Sequence, residues 1–181
     1  ISVRRGAQHG CTGVRRRCEQ EPELLRRGPA YVLYALMDTV VDRYFPVLDA
    51  IDPPGTVDGG DTFWLRPDLF CIGRSLRTNR SGAAQLAELV GGRVEIFDVA
   101  YDAGPDECLH LLSVISPVAH DLAVVYLPLL PAGLYELLME LGIRLIHVPA
   151  DEFPTLGCNV LAVRPGVVVI AEGNRTTARL L

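Results

Sequence analysis

The stretch that decides the fold runs from residue 61 to residue 99 and reads "DTFWLRPDLFCIGRSLRTNRSGAAQLAELVGGRVEIFDV". Two short apolar runs, "TFWL" and "LFCIG", flank the turn Arg66-Pro67-Asp68, and this pattern predicts a β-hairpin. Ser81 can then cap a helix through "GAAQLAELV", and Gly91-Gly92 ends that helix before a third strand, "RVEIFDV". The stretch therefore predicts one ββαβ unit.

The same pattern recurs in the next 50 or so residues. The runs "LHLLSVIS" and "LAVVYL" flank the turn "PVAHD" and predict a second hairpin. Pro131 stands where a first helical residue is expected, "AGLYELLMEL" follows, Gly142 ends the helix, and "IRLIHV" predicts the third strand.

A third copy follows, in which "NVLAV" and "VVVIAEG" flank Arg164-Pro165-Gly166 and Asn174 can cap "RTTARLL". The middle strands begin near Leu69, Leu122 and Val167, a spacing of about 45 to 53 residues that is typical of repeated supersecondary units. A unit with one sheet and one helix cannot bury both faces alone. We therefore expect the copies to stack around a shared axis as part of a larger ring.

These boundaries predict a single α/β (α+β) domain over residues 1–181, with successive ββαβ units at 53–106, 107–150 and 151–181. Residues 1–52 are less well defined, because "PELLRRGPAY" is helical with Pro22 near its start but is interrupted at Gly28-Pro29. The third unit is expected to be cut off before its last strand, so we interpret the chain as part of an incomplete ring.

Composition narrows the function classes. The 17 basic residues, all arginine, face 22 acidic ones, and the net charge of −5 disfavours binding to nucleic acid or to an anionic membrane. The absence of lysine excludes Schiff-base chemistry and a phosphate loop of the Gly-Lys-Ser/Thr type. Five scattered cysteines without a CxxC pair predict free thiols in a reducing, cytoplasmic compartment, and no apolar run is long enough to span a membrane.

Charged residues surround the first hairpin. Asp58 and Asp61 flank Gly59-Gly60, and such a pair can bind a guanidinium or orient a histidine, or can simply cap a turn. Arg74 and Arg77 follow a buried-looking strand, where an arginine can bind a ligand carboxylate or lie solvated at the surface.

His110 lies at the start of the predicted strand "LHLLSVIS", as a general acid/base or as a half-buried structural side chain. Strand alternation would place Cys108 on the same face, although parallel side chains do not aim the thiol at the ring. Cys71 is expected in the core, and Cys158 at a strand entry is a weaker candidate for a reactive thiol.

The first 20 residues contain two clusters. His9, Cys11 and Cys18 do not match a usual four-ligand zinc spacing, so we predict no metal site. The run Arg15-Arg16-Arg17 has no interleaved aromatic residues and is interpreted as a solvated or site-lining segment.

Three separate blocks resemble one known group of enzymes: "GTVDGGDTFWLRPDLFCIGRSLRTNRSGA", "ECLHLLSVIS" and "LGCNVLAVRPGVVVIAEGNRTT". Together they are similar to the dimethylarginine dimethylaminohydrolases, within the pentein superfamily of guanidino-modifying enzymes that includes arginine deiminases and amidinotransferases. The resemblance covers residues 53–181 and implies a propeller of five ββαβ blades, of which about three are present.

The resemblance also implies roles for three residues. His110 corresponds to the general acid/base, Asp58 to the carboxylate that grips the guanidinium beside it, and Arg77 to the arginine that binds the substrate's α-carboxylate. The implied reaction hydrolyses a methylated arginine to citrulline and dimethylamine through a covalent cysteine intermediate, without metal or cofactor. The ligand is a small guanidino compound, and a homodimer is compatible with the family.

Two departures from the family pattern matter. The hydrolases usually carry glutamate at the position of Asp58, whereas amidinotransferases resemble this chain in using aspartate, so amidino transfer remains an alternative. The family's nucleophilic cysteine is expected after Leu181, and Cys158 does not correspond to it. We therefore expect the chain 1–181 alone to lack hydrolase activity. An alternative from another class is a non-catalytic binding protein of the same fold, like the ribosome anti-association factors.

Overall fold

The computed structural model of the chain describes residues 12–26, 28, 31, 50–101, 104, 109–164 and 166–181. His9, Cys11 and Cys108, which the sequence singled out, lie outside these residues. The chain divides into two compact units, residues 1–50 and 51–181. No helix among the described residues combines the length and the apolar character needed to cross a bilayer.

In the first unit, helix α1 spans Thr12–Gln20 and helix α2 spans Pro22–Leu25. Pro22 occupies the first turn of α2, as predicted, because a residue there needs no backbone N–H donor. Arg15 pairs with Glu19 one helical turn later, and both side chains are exposed. The part of the arginine run that the structure describes is thus a solvated helix face.

The second unit begins with a ββαβ arrangement at the predicted positions. Strands β1 (Thr62–Arg66) and β2 (Leu69–Arg74) form an antiparallel hairpin, and helix α3 (Arg80–Val90) crosses over to β3 (Arg93–Asp98), which pairs in parallel with β2. The helix begins two residues before the predicted cap. Its N-cap is Asn79, whose side chain accepts a hydrogen bond from the Gly82 N–H, so the prediction of Ser81 was wrong.

The next unit repeats this topology with one difference. Strands β4 (Ile115–Ala119), β5 (Leu122–Val125) and β6 (Arg144–His147) form a sheet in that order, with helix α5 (Ala132–Glu140) between β5 and β6. The predicted strand at "LHLLSVIS" begins instead with a one-turn helix, α4, over Leu111–Val114. His110 is the N-cap of this helix, so alternation along a strand does not apply to it.

The last described segment forms strands β7 (Val160–Arg164) and β8 (Val167–Ile170), an antiparallel pair, followed by helix α6 (Arg175–Leu180). Asn174 stands at the N-cap position, as predicted, but its side chain makes no capping bond. Its amide binds Thr155 and the Ala171 carbonyl instead.

All three hairpins share an irregularity that marks them as copies of one unit. The strand register shifts immediately before each turn, between Trp64 and Arg66, between Pro117 and Ala119, and between Ala162 and Arg164. A bulge at this point increases the local twist and bends the hairpin. The predicted starts of the middle strands, Leu69, Leu122 and Val167, are confirmed.

Candidate guanidine-binding site

A short turn places Asp58 at the edge of the first sheet. The 3-10 turn Gly59–Asp61 leads directly into β1, and Asp58 is its N-cap, with Oδ1 accepting from the Gly60 N–H at 2.9 Å. The capping interpretation of Asp58 is therefore confirmed. The second carboxylate oxygen is left for a partner outside the turn, so capping and binding are compatible.

Arg77 reaches the same edge from the next connection. Because β1 and β2 are antiparallel, the start of β1 and the end of β2 lie side by side, and Arg77 belongs to the loop between β2 and α3. Its backbone N–H donates to Ser75 Oγ at 3.0 Å. Half of its side chain remains exposed.

His110 comes from the second unit, at a position equivalent to that of Asp58. Each residue caps the single turn that precedes the first strand of its unit. The His110 N–H donates to Ser113 Oγ at 3.1 Å, which fixes the backbone at the cap. Gly60 lies against the imidazole, where a Cβ would stand 2.7 Å from His110 Cγ.

The structure brings the three predicted residues together. Asp58 Oδ2 lies 3.5 Å from Arg77 Nη1, and Asp58 Oδ1 lies 3.5 Å from His110 Nδ1. Arg77 Nη1 lies 2.8 Å from His110 Nε2. Their side chains are 25 to 50% exposed, so the cluster opens to solvent while its polar atoms converge.

These contacts fix the tautomer of His110. A guanidinium has only N–H donors, so His110 Nε2 must accept the hydrogen bond from Arg77 and carries no proton. The ring proton is therefore on Nδ1, which faces Asp58 and is buried without a hydrogen-bond partner among the described residues. The ring is thus neutral, with its basic lone pair directed at a guanidinium nitrogen.

Sequence reasoning missed Ser75 and Thr78, which support the cluster from behind. The Thr78 hydroxyl accepts a hydrogen bond from the Asp58 N–H at 2.9 Å, and the Ser75 hydroxyl accepts one from the Arg77 N–H. Both hydroxyls donate to the buried carboxylate of Asp61. The only available signal was a pair of hydroxyl residues in the connection after a buried strand, which alone predicts an ordinary turn.

Comparison with known proteins gives a consistent result. No family model matches the chain. The uncharacterized protein YkgA of Bacillus subtilis is 28% identical over 153 residues, which are 84% of this chain and 50% of that protein. The N(G),N(G)-dimethylarginine dimethylaminohydrolase of Pseudomonas aeruginosa is 27% identical over 163 residues, covering 86% of this chain and 56% of the enzyme.

Solved structures agree on the architecture. A cysteine-to-serine variant of the same Pseudomonas aeruginosa enzyme, complexed with citrulline, is 25% identical and superposes with a TM-score of 0.54 over 72% of this chain and 48% of its own. The chain has the pentein fold. The inosamine-phosphate amidinotransferase of Streptomyces griseus shares this fold at 19% identity, with a TM-score of 0.56 over 72% of this chain and 39% of its own.

The pentein fold associates the chain with guanidino-acting hydrolases and amidinotransferases. The chain spans about half the length of the relatives that it matches. The number of blades in the complete ring remains a prediction.

Two cysteines of this pentein unit lie in the core. Cys71 and Cys158 are 0% and 1% exposed. Burial raises the pKa of the Cys71 thiol to about 12, with a smaller contribution from Glu95, and burial raises the pKa of the Cys158 thiol to about 12 as well. Neither sulfur is a thiolate near neutral pH, so the interpretation of Cys158 as a reactive thiol was wrong.

Arg74, the other candidate arginine, does not join the cluster. Its guanidinium binds both carboxylate oxygens of Asp98, the last residue of the neighbouring strand β3. The hydrogen bond from Arg74 lowers the pKa of the Asp98 carboxyl. Arg74 is therefore a half-exposed cross-strand partner. Among the described residues, no group of three or more histidine, cysteine and acidic side chains could hold a metal ion.

Proposed function

We propose that this chain contributes the guanidine-binding and acid/base half of a hydrolase that acts on methylated arginine. One observation carries the proposal: Asp58 and His110 already contact a guanidinium, that of Arg77, at 3.5 and 2.8 Å. A carboxylate and a neutral imidazole that accept N–H groups from one planar cation form a recognition site for guanidinium groups.

A substrate guanidinium would take the place that the Arg77 guanidinium occupies. Arg77 would then turn outward, which its half-exposed side chain permits, and its charge would meet the α-carboxylate of the same substrate. Asp58 and Arg77 would act as the two ends of a clamp for one amino acid.

His110 would supply the proton transfers. A thiolate attacks the guanidinium carbon and forms a C–S bond; the C–N bond to dimethylamine then breaks as His110 protonates the leaving nitrogen. His110 next removes a proton from water, which attacks the same carbon, and the C–S bond breaks to release citrulline. Since Cys71 and Cys158 are protonated and buried, we propose that the thiolate comes from outside the described residues.

Ligand binding tests the proposal directly. Nω,Nω-dimethyl-L-arginine should shift the imidazole NMR signals of His110, whereas L-lysine, which lacks the guanidine, should not. Asp58→Asn removes the charged hydrogen bonds to the guanidinium and should weaken binding about tenfold or more. Asp68→Asn, in the exposed turn between β1 and β2, removes the same charge without effect.

Dimethylarginine binding that leaves the His110 signals unchanged, or equal affinity in Asp58→Asn, would contradict the proposed site. The hydrolytic step is tested separately, by adding dimethylarginine to the full-length protein and measuring citrulline.

Amidino transfer is a second candidate, and the aspartate at position 58 favours it. The two reactions share the attack on the guanidinium carbon and differ in whether water or an amine accepts the amidino group. Supplying a primary amine together with arginine distinguishes them, because a transferase forms a new guanidine and ornithine, whereas a hydrolase forms citrulline.

A further inference from the structure

Asp61 is a buried carboxylate that contacts none of the reacting groups. It is 0% exposed, and its two oxygens accept three hydrogen bonds. Oδ2 accepts from Ser75 Oγ at 2.6 Å and from Thr78 Oγ1 at 2.7 Å, and Oδ1 accepts from the Leu111 N–H at 2.9 Å. Each donor lies in or beside a segment that carries one of the three site residues.

Two donors connect Asp61 to the first unit's site residues. Ser75 Oγ, which donates to Asp61, accepts from the Arg77 N–H at 3.0 Å. Thr78 Oγ1, which also donates to Asp61, accepts from the Asp58 N–H at 2.9 Å. Asp61 therefore holds the backbone of both residues through one hydroxyl each.

The third donor crosses to the second unit. Leu111 is the first residue of α4 and directly follows His110, so its bond to Asp61 attaches the histidine's backbone to the turn that carries Asp58. The two residues are 50 apart in the sequence. This bond therefore sets the distance between the acid/base residue and the carboxylate.

We propose that Asp61 is the positioning residue of the guanidine site and fixes all three site residues relative to one another. This inference rests on the proposed function for its meaning, since it concerns the same site. Asp61 acts through Ser75, Thr78 and Leu111 and does not touch the substrate.

The charge of Asp61 is essential to this role. An ionised carboxylate can only accept, so both hydroxyl protons must point at Asp61, and the hydroxyl lone pairs are left to accept from backbone N–H groups. An amide in place of the carboxylate brings its own N–H protons and competes for those lone pairs. No ion pair compensates Asp61 in the part of the chain that the structure describes, so its three hydrogen bonds are its stabilisation.

Asp61→Asn tests the proposal, with Asp68→Asn as the control for loss of one negative charge. Imidazole ¹⁵N NMR of the ligand-free protein reports the tautomer of His110, and the Arg77 Nε signal reports its contact. Asp61→Asn should lose the Nδ1–H tautomer signature of His110 and shift the Arg77 signal, and should bind dimethylarginine about tenfold more weakly, the cost of one or two hydrogen bonds. Asp68→Asn should match the unchanged protein.

Thr78→Val and Thr78→Ser provide a second test if Asp61→Asn does not fold. Valine keeps the shape but loses the hydroxyl and should shift the His110 and Arg77 signals, whereas serine keeps the hydroxyl and should restore them. Folded Asp61→Asn or Thr78→Val protein with unaltered signals would overturn the positioning role. If the signals move as expected but no guanidino compound binds to the unchanged protein, the proposed function fails and the positioning role stands.

Discussion

At the residue scale, Gly60 controls the place of the histidine ring. A Cβ at this position would lie 2.7 Å from His110 Cγ, 2.8 Å from Nδ1 and 3.1 Å from Cβ, so the whole imidazole would have to move. We expect Gly60→Ala to shift the His110 signals, to weaken dimethylarginine binding about tenfold or more, and to destabilise the fold by about 1–3 kcal/mol through overpacking. Binding titrations and thermal unfolding measure the two effects.

Gly59→Ala is the matched control. Gly59 lies in the same turn, and a Cβ there meets no atom within 4 Å; neither glycine has a positive φ. The control should bind dimethylarginine like the unchanged protein. Equal effects of the two substitutions would mean that the turn itself, rather than the contact with His110, limits binding.

Residues that act within one turn were predictable, and those that act between units were not. The spacing Asp58-Gly59-Gly60-Asp61 indicates a capped turn, and the structure has it. The proximity of Asp58 to His110 depends on how two units pack, and only resemblance to a family suggested it. The buried role of Asp61 depends on a donor 50 residues away, which no local pattern encodes.

At the element scale, Glu152 supplies the cap that Asn174 does not. Its carboxylate accepts from the N–H groups of Thr176 and Thr177 at 2.7 and 2.9 Å and from the Thr177 hydroxyl at 2.7 Å. These bonds attach the segment before β7 to the first turn of α6. Burial alone would raise the pKa of the carboxyl, but the hydrogen bonds from Thr177 and Thr176 outweigh it and lower the pKa of Glu152 to about 2 from 4.5.

This shift predicts how the Glu152 contribution depends on pH. A carboxyl whose pKa is lowered by folding stabilises the folded state fully above its unfolded pKa, and this contribution is lost as pH falls through the folded pKa. Glu152→Gln should therefore lower the denaturation midpoint at pH 7, and the difference from the unchanged protein should shrink between pH 4.5 and about 2. Urea unfolding across this range measures it.

Glu172→Gln is the control, since Glu172 is exposed and close to the same helix. It should leave the midpoint unchanged at every pH. A Glu152→Gln difference that stays constant down to pH 2 would show that shape, rather than charge, explains its effect.

Sequence patterns located most elements because the signals are local. The glycines after α3 and α5 and the turns before β2, β5 and β8 punctuate the chain where the structure ends its elements. Helix α4 was missed because "LHLLSVIS" is uniformly apolar, and such a run does not distinguish strand from buried helix. The serine at 113 completes the cap at His110 and decides the case.

At the scale of the whole 51–181 unit, shared cores connect the repeats. One buried cluster combines side chains of the first sheet, of α4, and of β5 and α5 in the second unit; it includes Leu69, Leu111, Val125, Leu134 and Leu138. A second cluster joins the other face of the second sheet to Cys158 and Val160 near the start of β7. The second unit is thus packed on both sides, and the site at its edge depends on that packing.

A cavity in the second unit should therefore weaken its neighbours. Leu138, in α5, is 0% exposed, and Leu138→Ala should cost about 2–5 kcal/mol of unfolding free energy. Met139, the next residue, is 42% exposed, and Met139→Ala should change it by less than about 0.5 kcal/mol. Because the core is shared, hydrogen exchange in Leu138→Ala should lose protection in both β2 and β5. Faster exchange confined to β5 would show that the units unfold independently and that the cluster of Asp58, Arg77 and His110 is not held by a common core.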